Sequence, residues 1–325
     1  MKQMWADFFF ALIMGLLVPA LILGVMLELR QKGDAAHLSE NPAATQRIDE
    51  TIRISVLDEN GQMQQMDMDE YLVGVILREM PAEFEQQTRM AQAVVARTYA
   101  LRRNTVSAKH DAGAVCMDSA CCQAYIAPEA YLASGGSQQA VESARQAAKD
   151  TSGLVLVYQG ALAEATYFSC SGGRTEDAAA VWGSDVPYLR SVESPGEEDA
   201  VHYTDTVTMT ADAFCNALGI ELGAYSGNMI GQVSYTQGGG VESIEIAGIA
   251  FSGKELRNLL DLRSTAISIT VMEAHVVIST KGFGHRVGMS QYGADAMAVD
   301  GCDFRQILAH YYPGTELTDW IDKAK

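Results

Sequence analysis

Apolar residues recur at helical spacing in two neighbouring stretches of the chain. In the first stretch, Leu72, Val75 and Ile76 lie on one face of a predicted helix. Glu79 follows on the same face, and Pro81 ends the helix because the residue before a proline is disfavoured in helical conformation. The pattern therefore places a carboxylate on the apolar side of a helix, at its C-terminal end.

The second stretch repeats this feature with the opposite charge. Met90, Val94 and Leu101 form an apolar face, and Arg97 lies on it. A buried guanidinium needs a carboxylate or several carbonyl oxygens as acceptors. Arg97 therefore either fixes this helix to the core or contacts a substrate, and the spacing does not separate the two interpretations.

A carboxylate on an apolar face loses hydration, and desolvation raises its pKa. A raised pKa suits a general acid that works near neutral pH. The alternative for Glu79 is a structural ion pair at the helix end, for example with Arg78, because such pairs also perturb carboxylates.

The remaining patterns predict an α+β fold, with mixed helices and sheets in one catalytic domain over residues 51–320. Residues 51–57 alternate polar and apolar side chains, as strands do. Residues 154–158 and 163–168 predict the two strands of a hairpin. Between about 200 and 265, helical and extended segments surround a run of glycines, which favours a second lobe.

The N-terminal segment has a different character. Residues 8–27 are almost wholly apolar, and this length suffices to span a bilayer. A cleaved signal peptide is the alternative, although its apolar core is usually shorter and ends in small residues. We therefore predict a transmembrane helix within residues 1–30 and a polar linker in residues 31–50.

The formal net charge of −18 argues against nucleic acid as a partner. A chain with this charge repels phosphate groups instead of neutralising them. A glycan carries far less charge than DNA, so the composition remains compatible with a glycan substrate.

One loop combines histidine and cysteine. His110, Cys116 and Cys122 are evenly spaced, and an imidazole with two thiolates could hold zinc tetrahedrally with a fourth ligand from elsewhere. Water could be that ligand, and Cys121 could replace Cys122. A disulfide is the alternative, because the chain has an even number of cysteines. Zinc with an open position could also activate water, which would make the protein a metal hydrolase.

Two glycine-rich segments carry polar side chains. The first reads Tyr167-Phe-Ser-Cys-Ser-Gly-Gly-Arg-Thr175, and the second spans residues 282–294. Glycines let a backbone approach a ligand closely, or they simply form a tight turn. In the second segment, His285 could act as a base or donate a hydrogen bond to a glycan.

These motifs together resemble the stage II sporulation protein D family, which comprises peptidoglycan lytic transglycosylases and amidase enhancers. The resemblance rests on residues 79–84, residues 91–99 and both glycine-rich segments. It implies that Glu79 alone cleaves the linkage between N-acetylmuramic acid and N-acetylglucosamine, leaving 1,6-anhydro ends. It further implies that the glycan groove is lined by Arg97, Tyr167, Ser169, Ser171, Gly172, Gly173, Thr175, His285, Ser290 and Gln291.

The resemblance also implies a cofactor, partners and a location. Zinc held by His110, Cys116 and Cys122 would support the loop beside Glu79. The substrate would be peptidoglycan glycan strands that a partner cell-wall amidase has stripped of peptides during engulfment, beside a membrane scaffold. The protein would be a single-pass protein of the cell membrane with its catalytic domain outside the cytoplasm, as a monomer or a homodimer. The alternative function is a non-catalytic glycan-binding enhancer of that amidase.

Overall fold

The computed structural model describes residues 52–320. The predicted transmembrane helix and linker lie outside the described residues. Within residues 52–320, no helix has the length and apolar character needed to cross a bilayer. The described part contains helices and several small sheets, which confirms the predicted α+β class.

The described chain begins with two strands, two helices and a third strand: β1 (Arg53–Leu57), β2 (Met63–Asp67), α1 (Met68–Glu79), α2 (Gln86–Thr105) and β3 (Val115–Cys116). β1 pairs antiparallel with β2 and parallel with β3. α1 ends at Glu79 because Met80, ahead of Pro81, has extended backbone angles, as the sequence predicts.

The middle of the chain adds three helices and three strands: α3 (Pro128–Ala133), α4 (Gln138–Asp150), β4 (Leu154–Tyr158), β5 (Ala161–Leu162), β6 (Tyr167–Phe168) and α5 (Ala178–Trp182). β4 does form a hairpin, but its partner is β5 at Ala161–Leu162 and not the predicted strand 163–168, and β6 pairs elsewhere. Residues 163–166, predicted as extended in one strand with 167–168, instead carry the chain from β5 to β6.

Residues 204–281 form strands and helices around a hydrophobic core of their own: β7 (Thr204–Thr210), α6 (Ala211–Leu218), β8 (Ile230–Tyr235), β9 (Val241–Ile246), β10 (Ile249–Phe251), α7 (Gly253–Leu259), β11 (Ala266–Val271) and β12 (His275–Lys281). The first helix of this part begins at Ala211. Thr208 and Thr210 continue β7, and the Thr210 hydroxyl caps α6 by accepting a hydrogen bond from Ala213 N.

The C-terminal residues return to the first half of the chain through β13 (Met289–Ser290), α8 (Gln291–Val299), α9 (Phe304–Tyr311) and β14 (Glu316–Asp319). β14 pairs antiparallel with β4, and β13 pairs parallel with β6. α2 lies in the middle of this assembly and packs against α1, α4, α8, α9 and β4. Its fully buried alanines allow this close approach from several sides.

Candidate active site and metal-binding loop

Glu79 lies at the C-terminal end of α1, where its side chain keeps partial contact with solvent. Its Oε1 accepts a hydrogen bond of 2.7 Å from Ala124 N. The Tyr167 side chain also hydrogen-bonds to the carboxylate, and the Gln291 side chain lies close enough to lower its pKa. The pairing of β6 with β13 brings the last two residues together, since it sets Tyr167 opposite Met289, two positions before Gln291.

The environment of Glu79 keeps its pKa above the ordinary value for a glutamate. Burial of the carboxylate is the largest cause, because the charged form loses hydration. The hydrogen bonds from Ala124 and Tyr167, the nearby Gln291 side chain and the charge of Arg78 lower the pKa without cancelling the effect of burial. The group is therefore suited to carry a proton near neutral pH while retaining donors that stabilise its ionised form.

A buried chain of side chains orients the Tyr167 hydroxyl. Tyr71 OH donates to Gln123 Oε1 at 2.8 Å, and Gln123 Nε2 donates to Tyr167 OH at 3.1 Å. Because the Tyr167 oxygen already accepts from Gln123, its own proton is free to point at Glu79. Sequence reasoning missed Tyr71 and Gln123, because nothing local distinguishes them from ordinary core residues.

A second buried glutamate, Glu197, organises the first glycine-rich segment. Its Oε2 accepts hydrogen bonds from Ser171 N and Oγ at 2.8 and 2.7 Å, from Gly172 N at 2.9 Å and from Gly173 N at 3.3 Å. Its Oε1 accepts from Ser194 Oγ at 2.7 Å and from Ser290 Oγ in a short contact. Glu197 is 1% exposed, so this arrangement is closed to solvent.

The Glu197 cluster corrects several predicted substrate contacts. Ser171 and Ser290 are fully buried and donate to Glu197. The amides of Gly172 and Gly173 donate to the same carboxylate. Ser171 and Ser290 are therefore closed off from a glycan, whereas Gly172 and Gly173 are partly exposed and their contact with substrate stays a prediction.

Thr175 and Arg97 likewise do not lie on the predicted substrate surface. Thr175 is fully buried, and its hydroxyl donates to Arg190 O at 3.2 Å. Arg97 is fully buried and donates to Leu154 O at 3.1 Å and to Ala148 O at 3.2 Å. Arg97 therefore fixes α2 to the end of α4 and the start of β4. Ser169 remains partly exposed, as Tyr167 does.

His285 is held as a neutral ring. Its Nδ1 accepts a hydrogen bond from Val287 N at 3.1 Å, and its ring lies between those of Phe168 and Trp182. Burial, followed by the positive charge of Arg257, lowers the pKa of His285 to about 4. A base with this pKa is a poor proton acceptor for a sugar hydroxyl, so the arrangement favours a positioning role over a catalytic one.

Arg286, the next residue, was not predicted. It has a positive φ of 64°, and its buried guanidinium pairs with Glu176 at 3.2 Å. The guanidinium also donates to Ser171 O at 2.7 Å and to Gly238 O at 2.7 Å. Arg286 therefore joins both glycine-rich segments to the glycine turn between β8 and β9.

The cysteine loop gathers four metal-ligand atoms. The donor atoms of His110, Cys116, Cys121 and Cys122 all lie within 4.8 Å of one another. Cys121 Sγ and Cys122 Sγ are 4.0 Å apart, and they lie 3.4 and 3.6 Å from His110 Nε2. A zinc–sulfur bond of about 2.3 Å gives tetrahedral ligand separations of about 3.8 Å, so this donor set fits zinc.

The same loop carries residues of the acid site. Gln123 and Ala124 follow Cys122 directly, and they contact Tyr167 and Glu79. The three thiols of the loop form no disulfide, since every described cysteine is free. From the sequence, Cys121 was expected as a ligand only in place of Cys122, whereas the thiols of both residues lie in the cluster.

The fold and site define a protein with one half-enclosed carboxylate and a Cys/His loop beside it. A family model described as SpoIID, stage II sporulation protein, matches residues 58–158. The stage II sporulation protein D of Bacillus amyloliquefaciens is 35% identical over 266 residues, covering 80% of this chain and 76% of that protein. The protein of the same name from Bacillus subtilis (strain 168) is 31% identical over 319 residues, covering 94% of this chain and 92% of that protein.

A protein named amidase enhancer, also from Bacillus subtilis (strain 168), is 29% identical over 303 residues. That match covers 77% of this chain and 40% of the enhancer. The chain belongs to the stage II sporulation protein D family, which confirms the resemblance in its motifs. Its role accordingly lies in sporulation and the cell wall.

Proposed function

We propose that the protein is a lytic transglycosylase that cleaves peptidoglycan glycan strands with Glu79 as its only catalytic residue. The observation that carries this proposal is the setting of Glu79. Its carboxylate is enclosed enough to raise its pKa, Ala124 and Tyr167 donate hydrogen bonds to it, and the residue is still partly exposed. Among the described residues, the buried carboxylates Glu176 and Glu197 are each 1% exposed and bound to internal donors.

A single carboxylate suffices for this reaction. Protonated Glu79 donates its proton to the glycosidic oxygen between N-acetylmuramic acid and N-acetylglucosamine, and that bond breaks. The resulting glutamate then accepts the proton of the C6 hydroxyl as its oxygen attacks C1, which closes a 1,6-anhydro ring. Ordinary glycosidases use a second carboxylate with water, and here the sugar hydroxyl takes the place of that water.

The donors around Glu79 support both halves of this cycle. Ala124 N, Tyr167 OH and Gln291 stabilise the ionised carboxylate after the first proton transfer. Gln291 is 5% exposed and is the first residue of α8, directly after the N-cap residue Ser290. These groups therefore hold the Glu79 carboxylate in one position.

The substrate in this proposal is glycan that a partner amidase has already stripped of peptides during engulfment. The family supports that context, and a relative of this chain is named amidase enhancer. We further propose that the domain works outside the cytoplasm, anchored to the cell membrane by the N-terminal segment and beside other proteins of the engulfment machinery.

Replacing Glu79 by Gln tests the proposal. Release of 1,6-anhydro ends from peptide-free glycan should fall roughly 100- to 10,000-fold, the range that a general acid contributes. Glycan binding and thermal stability should remain. Mass spectrometry of the released ends measures the product. The exposed Glu83, four positions further on, provides the matched control, and Glu83→Gln should leave product formation unchanged. Undiminished anhydro product from Glu79→Gln would remove the catalytic role.

A second candidate function is stimulation of an amidase without catalysis, which the similarity to the amidase enhancer favours. The two candidates differ in one measurement. The enhancer would release no anhydro ends on its own, but it would raise the rate at which an added amidase removes peptides, and Glu79→Gln would preserve that stimulation.

We also propose that zinc occupies the cysteine loop in a structural role, with Cys121 as the fourth ligand beside His110, Cys116 and Cys122. Four protein ligands leave no open position, which is the pattern of structural zinc sites. Zinc bound there would fix the loop that presents Ala124 N to Glu79 and Gln123 to Tyr167. No step of the reaction requires the metal.

Metal analysis and thermal unfolding test this role. Purified protein should contain one zinc, and a strong chelator should lower Tm by roughly 5–10 °C, the shift expected for losing 2–3 kcal/mol in a domain of this size. Cys116→Ser should do the same. Cys302→Ser, outside the loop, serves as the control. Zinc-free protein with an unchanged Tm would contradict the structural role.

A further inference from the structure

Trp182 presents an aromatic ring to solvent beside the candidate site. It ends α5, is 39% exposed, and is followed by Gly183 in a left-handed conformation that stops the helix. Its ring lies 5.4 Å from that of His285 at an angle of 58°. One side of the indole is thus supported by a second ring, while a large part of its surface remains open.

Contacts connect this ring to the acid. His285 also packs against Phe168, with ring centroids 5.6 Å apart. Phe168 follows Tyr167 in β6, and the His285 ring itself hydrogen-bonds to the Tyr167 backbone. The Tyr167 hydroxyl binds Glu79. Trp182 is therefore connected to the acid indirectly, through the His285 ring and the backbone of Tyr167.

The two rings behind Trp182, His285 in direct contact and Phe168 packed against His285, are uncharged. His285 is neutral at physiological pH because burial lowers its pKa to about 4. Phe168 is buried beneath it. Ligand sites combine such apolar surfaces with a few polar groups, and Trp offers a large rigid face at low entropic cost. The C–H face of a pyranose ring is apolar and flat, so it complements an exposed indole.

We propose that Trp182 is a sugar-stacking subsite that binds an N-acetylated amino-sugar ring of the glycan strand away from the cleaved linkage. This inference rests on the proposed function in that the groove holds glycan. Stacking at a remote ring stabilises bound substrate and transition state equally. Loss of Trp182 therefore raises KM and leaves kcat nearly unchanged.

Tryptophan fluorescence provides a direct test, because the chain contains only three tryptophans. The full chain is titrated with an N-acetylglucosamine oligomer, which lacks peptides and the lactyl group. The emission change on binding should be present in the wild type and in Trp320→Phe, and absent in Trp182→Phe. An emission change that persists in Trp182→Phe, or none in the wild type, overturns the inference.

Kinetics supply the second measurement. Trp182→Ala should raise KM for peptide-free glycan about tenfold while kcat changes less than about twofold, and Trp182→Phe should retain most of the affinity. A drop in kcat with unchanged KM overturns the inference. If the oligomer changes Trp182 emission but no anhydro ends form, the transglycosylase proposal fails and the subsite stands. If Trp182→Ala releases anhydro ends with an unchanged KM, the subsite fails and the enzyme stands.

Discussion

Glu79 and Glu197 are two enclosed carboxylates of one protein with opposite surroundings. Glu197 is 1% exposed and accepts six hydrogen bonds from Ser171, Gly172, Gly173, Ser194 and Ser290. Glu79 accepts hydrogen bonds from Ala124 and Tyr167, has a raised pKa and is partly exposed. The first carboxylate is fully committed to holding loops, whereas the second can exchange a proton with a ligand.

The difference shows why burial alone does not identify a catalytic acid. Both groups lose hydration, and what separates them is the number of internal donors and the access of an outside molecule. The two sites are nevertheless connected. Glu197 holds the Ser290 hydroxyl, Ser290 caps α8, and the next residue, Gln291, lies close enough to Glu79 to lower its pKa.

The largest expected effect follows removal of the structural carboxylate. Glu197→Ala leaves several buried donors without an acceptor, so we expect a loss of about 3–4 kcal/mol in the free energy of unfolding. Activity should fall with it, since the Ser290–Gln291 segment loses its anchor. Urea denaturation measures the loss. Glu198→Ala, at an exposed neighbour, should change stability by less than about 0.5 kcal/mol. Equal losses of stability in Glu197→Ala and Glu198→Ala would contradict the structural role of Glu197.

A smaller effect is expected from the hydroxyl that binds the catalytic carboxylate. Tyr167→Phe removes a donor that lowers the pKa of Glu79, so that pKa should rise further. Activity requires protonated Glu79 and falls as pH rises through its pKa, so the falling limb of the pH–rate profile should move to higher pH. The maximal rate should drop about tenfold. Tyr235→Phe, at an exposed position, is the control. An unmoved limb would separate Tyr167 from the acid.

The smallest expected effect concerns stability at Glu79 itself. Burial raises its pKa above that of the unfolded chain, so ionisation favours unfolding, and the wild type loses stability as pH rises through the folded pKa. Glu79→Gln lacks this loss. The variant should match the wild type in acid and exceed it slightly at alkaline pH, as urea denaturation at several pH values would show. A variant less stable at every pH would indicate a structural role for the carboxylate.

Local patterns were sufficient to predict the end of α1 and the side of the helix on which Glu79 lies. Proline geometry and helical periodicity act within a few residues, so the sequence contains them directly. The donors of Glu79 come from three distant segments, which only the tertiary pairing of β6 with β13 and the path of the cysteine loop bring together. Gln123 therefore had no signal in the sequence.

The glycine-rich segments show a different limit of prediction. Serine and glycine amides bind a ligand anion or an internal carboxylate with the same geometry, and the motif Ser171-Gly-Gly173 does not say which it meets. In this protein the segment meets an internal carboxylate, that of Glu197. Glu197 lies more than twenty residues further along the chain, in a segment with no distinctive pattern. For Arg97, both interpretations were open, and its complete burial selected the structural one.

The short ladder between β6 and β13 has a consequence for biosynthesis. Glu79 is translated more than two hundred residues before Gln291, whose side chain lowers its pKa. A nascent chain that ends between them holds the carboxylate without its full set of neighbours. The order of translation thus delays completion of the site until β13 and the start of α8 have been made and have folded back onto β6.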